Sequence, residues 1–227
     1  LLLVVGALGA FAYVRFGKGH APLWLSIVFA VLFLVTFLTW VAAGKNIPVP
    51  GMLVGTVALS VPLIFGALGG VISERAGVVN IAIEGQLLFG AFSAAVVGSL
   101  TGSPWAGLFA AMVGAVLVSF VLAAFSIKYL VDQVIVGVVL NVLVTGLTSF
   151  FYSKVLTSDP AFNKPTKFEV LPIPLLSDIP ILGPVLFRQT LIVYLMYIAV
   201  FLVWFGLFKT RWGLRVRAVG EHPTAAD

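Results

Sequence analysis

Three groups of polar side chains could do chemistry in this chain, and each is set in apolar surroundings. The first lies in ERAGVVNIAIEGQ, residues 74–86, which holds Glu74, Arg75, Asn80 and Glu84. A carboxamide and a carboxylate at this spacing could hydrogen-bond a polar solute, and the carboxylate could hold a proton or cation. If a helix starts near Gly77, Asn80 and Glu84 are four residues apart and share a face. Glu84 then lies about 9–10 Å inside the helix at 1.5 Å per residue. At that depth a carboxylate must face a bundle interior, a wet cavity or a partner. The alternative is structural: Glu74, Arg75 and Glu84 form an ion cluster that fixes the start of the helix.

The second group is a stripe on one helical face, Gln133, Gly137, Asn141, Thr145, Thr148 and Tyr152, recurring every three or four residues opposite a face of Val and Leu. Such a stripe suits a pore lining, which the position of Asn141 near mid-span favours. It also suits a seam of interhelical hydrogen bonds worth about 1 kcal/mol each or less. The third group is basic: Lys209, Arg211, Arg215 and Arg217 open KTRWGLRVRAVGEHPTAAD. In its second half a turn is expected at Gly220, with Pro223 near the start of a short helix.

Other chemistry is missing from the pattern. No Gly-rich loop ends in Lys-Ser or Lys-Thr, so the chain offers no phosphate cradle of its own and hydrolyses no nucleotide. His20 and His222 lie in separate loops and form neither a metal pair nor a nucleophile–base pair. With no cysteine there is no disulfide framework and no thiolate metal site. No catalytic residue, metal or cofactor is expected.

The elements that must position these groups are membrane spans. Residues are 61% hydrophobic and 9% charged, with a mean hydropathy of +1.18; a soluble domain is about a quarter charged. Lipid is therefore the solvent. About seven hydrophobic segments are read: a short one at 1–14, taken as a truncated span, then 22–43, 52–72, 78–100, 104–127, 133–152 and 190–208. The expected fold is all-α, a polytopic transmembrane helix bundle. Small residues four apart, Gly66/Gly70, Gly90/Ala94/Gly98 and Ala106/Ala110/Gly114, mark close packing faces, and Pro62 is expected to kink its span. The chain opens on LLLVVGALGA without an initiator Met and stops inside a polar segment, so it is read as part of a longer protein.

Placing the RFGKGH loop inside also puts Arg75, Lys128 and the 209–217 basic run inside. The net charge of +5 then belongs to cytoplasmic loops and not to a nucleic-acid surface. The long loop at 154–189 falls outside. It holds Pro160, Pro165, Pro172, Pro174, Pro180 and Pro184, which exclude a long helix. Its recurring apolar residues suit either a loop on the membrane surface or a compact cap over an entrance or docking a partner.

Three stretches resemble a known family. GGVISERAGVVNIAIEGQLLFGAFSA, DQVIVGVVLNVLVTGLTSF and TRWGLRVRAVGEHPTAAD are similar to permease subunits of bacterial ABC importers in the branched-chain amino acid and simple-sugar superfamily, nucleoside-type branch. Asp132 stands where Asn is expected and His222 where Asn is common. The resemblance covers roughly 61–227. It implies one transmembrane permease domain over 1–227, with an extracellular loop at 154–189 and a cytoplasmic coupling segment at 209–227. Coupling residues would be Arg217, Gly220, Glu221, Pro223 and Ala225. Path residues would be Asn80, Glu84, Asn141 and Thr145. Implied partners are an ATP-binding subunit, a second permease subunit and an extracellular solute-binding lipoprotein, and the implied setting is the bacterial cytoplasmic membrane.

The expected function is thus nucleoside uptake by alternating access, with simple sugars or branched-chain amino acids as alternative substrates. Two other classes stay open on the residues themselves. An ion-driven secondary transporter would use Glu84 as its ion site, and a purely structural membrane subunit would tolerate loss of the polar stripe.

Overall fold

Backbone polar groups that cannot reach water must be satisfied within their own segment, so long apolar runs fold as helices. The computed structural model describes residues 6–7, 9, 23–42 and 49–223. Contacts divide the chain into two units, residues 1–49 and 50–227. The run at 1–14 lies almost wholly outside the described residues. The first unit contributes helix α1, Leu23–Val41, along which Phe33, Phe37 and Trp40 follow one another with ring centroids 6.4 and 6.3 Å apart.

Five helices of the described chain are long and apolar enough to cross a bilayer. They are α2 (Val49–Arg75), α3 (Ile83–Thr101), α4 (Pro104–Ala123), α5 (Gln133–Phe151) and α6 (Leu191–Lys209). The bundle expectation holds, while a count of seven segments is not reached among the described residues. A short amphipathic helix, α7 (Arg211–Glu221), follows α6. α2 runs unbroken through Pro62. α4 and α5 each end in a five-residue π-helical turn, Ala124–Lys128 and Tyr152–Leu156.

The ends follow local chemistry. α2 is closed by a left-handed glycine, Gly77 at φ +83°. The Val78 N–H donates to the Ser73 carbonyl at 2.9 Å and the Gly77 N–H to that of Glu74 at 3.0 Å, a Schellman pair that satisfies two free carbonyls. This corrects the expected helix start. Gly77 terminates the preceding helix, Glu74 and Arg75 belong to its last turn, and α3 begins only at Ile83. Asn80 is therefore in a turn, not on a helical face with Glu84, and Glu84 lies in the first turn of α3 instead of deep within it. At the far end of α3, Gly102 at φ +63° turns the chain so that Pro104 can open α4, where its missing N–H costs nothing.

α3 and α4 pair closely because small residues let the backbones approach. A Cβ on Gly90 would stand 3.2 Å from the Ala111 carbonyl oxygen, and one on Gly107 would stand 3.0 Å from that of Ala94. The α4 row is thus Gly107, Ala111 and Gly114, one position on from the expected Ala106 and Ala110. α5 completes this half, burying Val136, Leu140 and Val144 with Ala82, Val118 and Leu122. α2 and α6 share a second cluster of Val61, Val193 and Met196.

The proline-rich loop contains short ordered elements. Val170–Pro172 and Arg188–Thr190 pair as two antiparallel strands, with Leu171 opposite Gln189. The Tyr194 hydroxyl donates to the Leu171 carbonyl at 2.7 Å. The loop is tied to the α3–α4 hairpin by the Lys164 N–H, which donates to Ser99 Oγ at 3.0 Å, and by Phe168, edge-on to Trp105 at 5.3 Å.

Candidate functional site

The polar groups legible in the sequence converge on the turn between α2 and α3. Asn80 opens that turn. Its Oδ1 accepts from the Ala82 N–H at 3.1 Å, and its amide pairs with that of Gln86, Nδ2 to Oε1 at 3.2 Å. An Asn accepting from the backbone two residues on stabilises a turn in place of a helix, so its side chain holds the conformation that keeps Asn80 off α3.

Asn141 on α5 grips the same turn from the other side. Its Oδ1 accepts from the Gly85 N–H at 2.8 Å and its Nδ2 donates to the Ile81 carbonyl at 2.9 Å. The first N–H groups of a helix have no partner within it, and Asn141 supplies one across the bundle. Close approach makes this possible. A Cβ on Gly137 would meet the Ile81 Cβ at 3.0 Å, and one on Gly85 would meet Asn141 Oδ1 at 2.9 Å. Of the two readings of the stripe, Asn141 makes the seam. The Thr145 hydroxyl donates back to the Asn141 carbonyl at 2.7 Å, and that of Thr148 to the Val144 carbonyl at 2.7 Å. Asp132 starts α5, its carboxylate accepting from the Val134 and Ile135 N–H groups at 2.8 and 3.3 Å.

The expected ion cluster does not form. Glu84 is exposed, and the Arg75 guanidinium lies over the Phe208 ring, 5.8 Å from its centroid, with no carboxylate paired to it among the described residues. A helix with Arg75 in its last turn already satisfies that cation's preference for a C-terminus, so no acid is needed there.

Arg75 thereby meets the C-terminal basic segment. The Arg217 guanidinium lies over the same Phe208 ring at 5.4 Å. α7 starts at Thr210, whose Oγ1 accepts from the Gly213 N–H at 3.1 Å and donates to the Gly206 carbonyl at 2.6 Å. Gly213 is buried in the α6–α7 corner, where a Cβ would collide with the Gly206 and Leu207 carbonyl oxygens. The expected turn at Gly220 is absent: α7 runs through Gly220 to Glu221, and the break comes at His222. Gly220 is instead where the backbones touch. A Cβ there would collide with the Arg75 carbonyl and stand 3.0 Å from the Gly77 nitrogen. Glu221 and Pro223 are exposed, and Ala225 lies outside the described residues.

A cavity of about 820 Å³ opens between α2, α3, α4 and α6. Its lining is apolar, including Pro62, Phe65, Leu87 and Met112, with Gln86 its single polar side chain. Gln86, Phe208 and Gly213 were not among the residues expected from the sequence. Gln86 follows Glu84 in the same polar stretch, and Gly213 interrupts an otherwise good helix former run, so both carried a signal. Phe208 carried none, since it is one of 19 phenylalanines.

Residues 52–227 match the family described as branched-chain amino acid transport system / permease component. The chain is 42% identical over 179 residues to the guanosine ABC transporter permease protein NupQ of Bacillus subtilis, covering 76% of this chain and 56% of that protein. It is 40% identical over 178 residues to the nucleoside ABC transporter permease protein NupC of Lactococcus lactis, covering 74% and 55%. It is 38% identical over 181 residues to the putative glucose ABC transporter permease protein TsgC13 of Haloferax volcanii, covering 78% and 54%. The chain thus spans about half the length of the curated relatives it matches. No solved structure matches it.

Proposed function

Because the chain belongs to the branched-chain amino acid transport system / permease component family and is a multi-pass protein of the cytoplasmic membrane, we propose that it moves nucleosides inward as the permease subunit of an ATP-driven importer. The observation that carries this is the 42% and 40% identity to permeases named for guanosine and nucleosides, across most of the described spans. The 38% identity to a permease named for glucose favours simple sugars as the second reading.

In this reading the basic end is cytoplasmic and residues 209–227 form the coupling segment on which an ATP-binding subunit docks. Arg217, Gly220, Glu221, Pro223 and Ala225 are its coupling residues. The cap over 154–189 faces outward toward a solute-binding lipoprotein. A second permease subunit completes the path, to which the exposed Glu84 and Thr145 present their polar groups. Asn80 and Asn141 act on the path by holding the α2–α3 turn. ATP binding on the partner shifts the equilibrium between inward- and outward-open arrangements through α7.

Two measurements test this. Deleting the gene is expected to abolish ATP-dependent uptake of labelled guanosine and spare glucose uptake; loss of glucose uptake alone would overturn the substrate. In the reconstituted transporter, Gly220→Val forces a branched side chain into the Arg75–Gly77 backbone. It is expected to leave ATP hydrolysis running while uptake falls by 10-fold or more, on the order of the 1–3 kcal/mol that overpacking costs. Unchanged uptake per ATP would remove the coupling assignment.

A further inference from the structure

We propose that Phe208 is a positioning residue of the coupling step. Its ring gathers Arg75 and Arg217, so that α7 stays seated on the α2–α3 turn and its movement reaches Asn141 on α5. The proposal rests on the reading of residues 209–227 as the coupling segment.

The ring occupies a junction of three helices. Phe208 is the next-to-last residue of α6, Arg75 closes α2, and Arg217 lies in the second turn of α7. Both guanidiniums lie within the roughly 6 Å range in which a cation is held by a ring face, at 5.8 and 5.4 Å from the centroid. Two like charges brought together would otherwise repel, and the electron-rich ring face is what they share. The Arg217 Nε also donates to the Gly213 carbonyl at 3.4 Å, which ties the same side chain to the glycine corner that sets the angle of α7.

The consequence lies one step further on. With α7 held this way, Gly220 rests on the Arg75–Gly77 backbone. From Gly77 the chain runs in four residues to Ile81 and in eight to Gly85, the two backbone points that Asn141 holds. Apart from the ring contact, each step is chain continuity, backbone against backbone or a hydrogen bond under 3 Å, so displacement of α7 has little slack in which to be absorbed. The ring contact is the part of the series that a conservative change can remove without touching either backbone.

The test uses the full-length permease assembled with its partners in proteoliposomes. Phe208→Leu keeps an apolar side chain and removes the ring; Phe208→Trp keeps a stronger cation-binding face. Residues 1–227 contain no cysteine, so an Ala76→Cys, Glu221→Cys pair reports seating of α7 by its disulfide-formation rate. Losing two ring contacts is expected to lower the seated-to-unseated ratio about 5- to 30-fold. Cross-linking in the double-Cys background, and uptake per ATP in the background with native Ala76 and Glu221, should both fall in Phe208→Leu and both return in Phe208→Trp. Unchanged cross-linking and coupling in Phe208→Leu would overturn the proposal, as would a Trp variant no better than Leu. If the Leu variant fails to assemble, Arg217→Gln decides, with a 2- to 5-fold loss of cross-linking expected and none overturning it. Gly220→Val run in parallel separates the two ideas: if it uncouples while Phe208→Leu does not, only the role of Phe208 falls, and if neither uncouples, the coupling segment itself is misplaced.

Discussion

Gly85 and Asn141 should behave as a single unit, and a double-mutant cycle measures this. In Asn141→Ala the Gly85 N–H and the Ile81 carbonyl lose their partners, now 2.8 and 2.9 Å away. Interhelical hydrogen bonds in membranes average about 0.6 kcal/mol and reach about 1.7, so two of them put the loss at about 1–3 kcal/mol. In Gly85→Ala the new methyl carbon falls 2.9 Å from Asn141 Oδ1 and 3.4 Å from its Cα. The second distance is ordinary contact; the first forces the amide away and breaks the same bond, at about 1–3 kcal/mol. The clash partner is the very group that Asn141→Ala deletes. The double variant is therefore expected to cost little more than Asn141→Ala alone, a coupling of about 1–2 kcal/mol. Reversible unfolding in mixed micelles with increasing SDS, followed by helical circular dichroism, gives the four free energies. Additivity within about 0.5 kcal/mol, the behaviour of independent sites, would show that Asn141 does not clamp α3 as described.

Two further outcomes bear on the frame around the site. Asp132→Ala removes the carboxylate that caps α5 and is expected to cost about 1 kcal/mol, with Asp132→Asn restoring most of it; faster amide exchange at Val134 and Ile135 is the readout. Gly213→Ala drives a methyl into the Gly206 and Leu207 carbonyls, so α7 should leave its seat and become open to trypsin at Arg211 and Arg215, while α6 stays inserted.

Much of the architecture is written in composition and spacing. A span of about 20 apolar residues has few options in lipid, since its backbone must bond to itself, and α4, α5 and α6 fall within a few residues of where their apolar runs lie. Prolines in the loop at 154–189 rule out a long helix for an equally local reason, the missing N–H. What that loop packs against is not local: it depends on Lys164 meeting Ser99 and Phe168 meeting Trp105, pairs more than 60 residues apart in the chain.

The stretch 74–86 divides along the same line. Its polarity and its place between two spans are properties of the residues alone, and they mark it as the part of the chain that needs an explanation. Which helix owns Gly77 could not be read there, because a glycine can open one helix or close another, and the choice fell to the carbonyls of Ser73 and Glu74 that its turn satisfies. Likewise Arg75 has Glu74 beside it in sequence but an aromatic ring beside it in space, supplied by a helix that begins more than 100 residues later. Periodicity places side chains on a face, and only the packing of α5 and α7 against the turn says what that face meets.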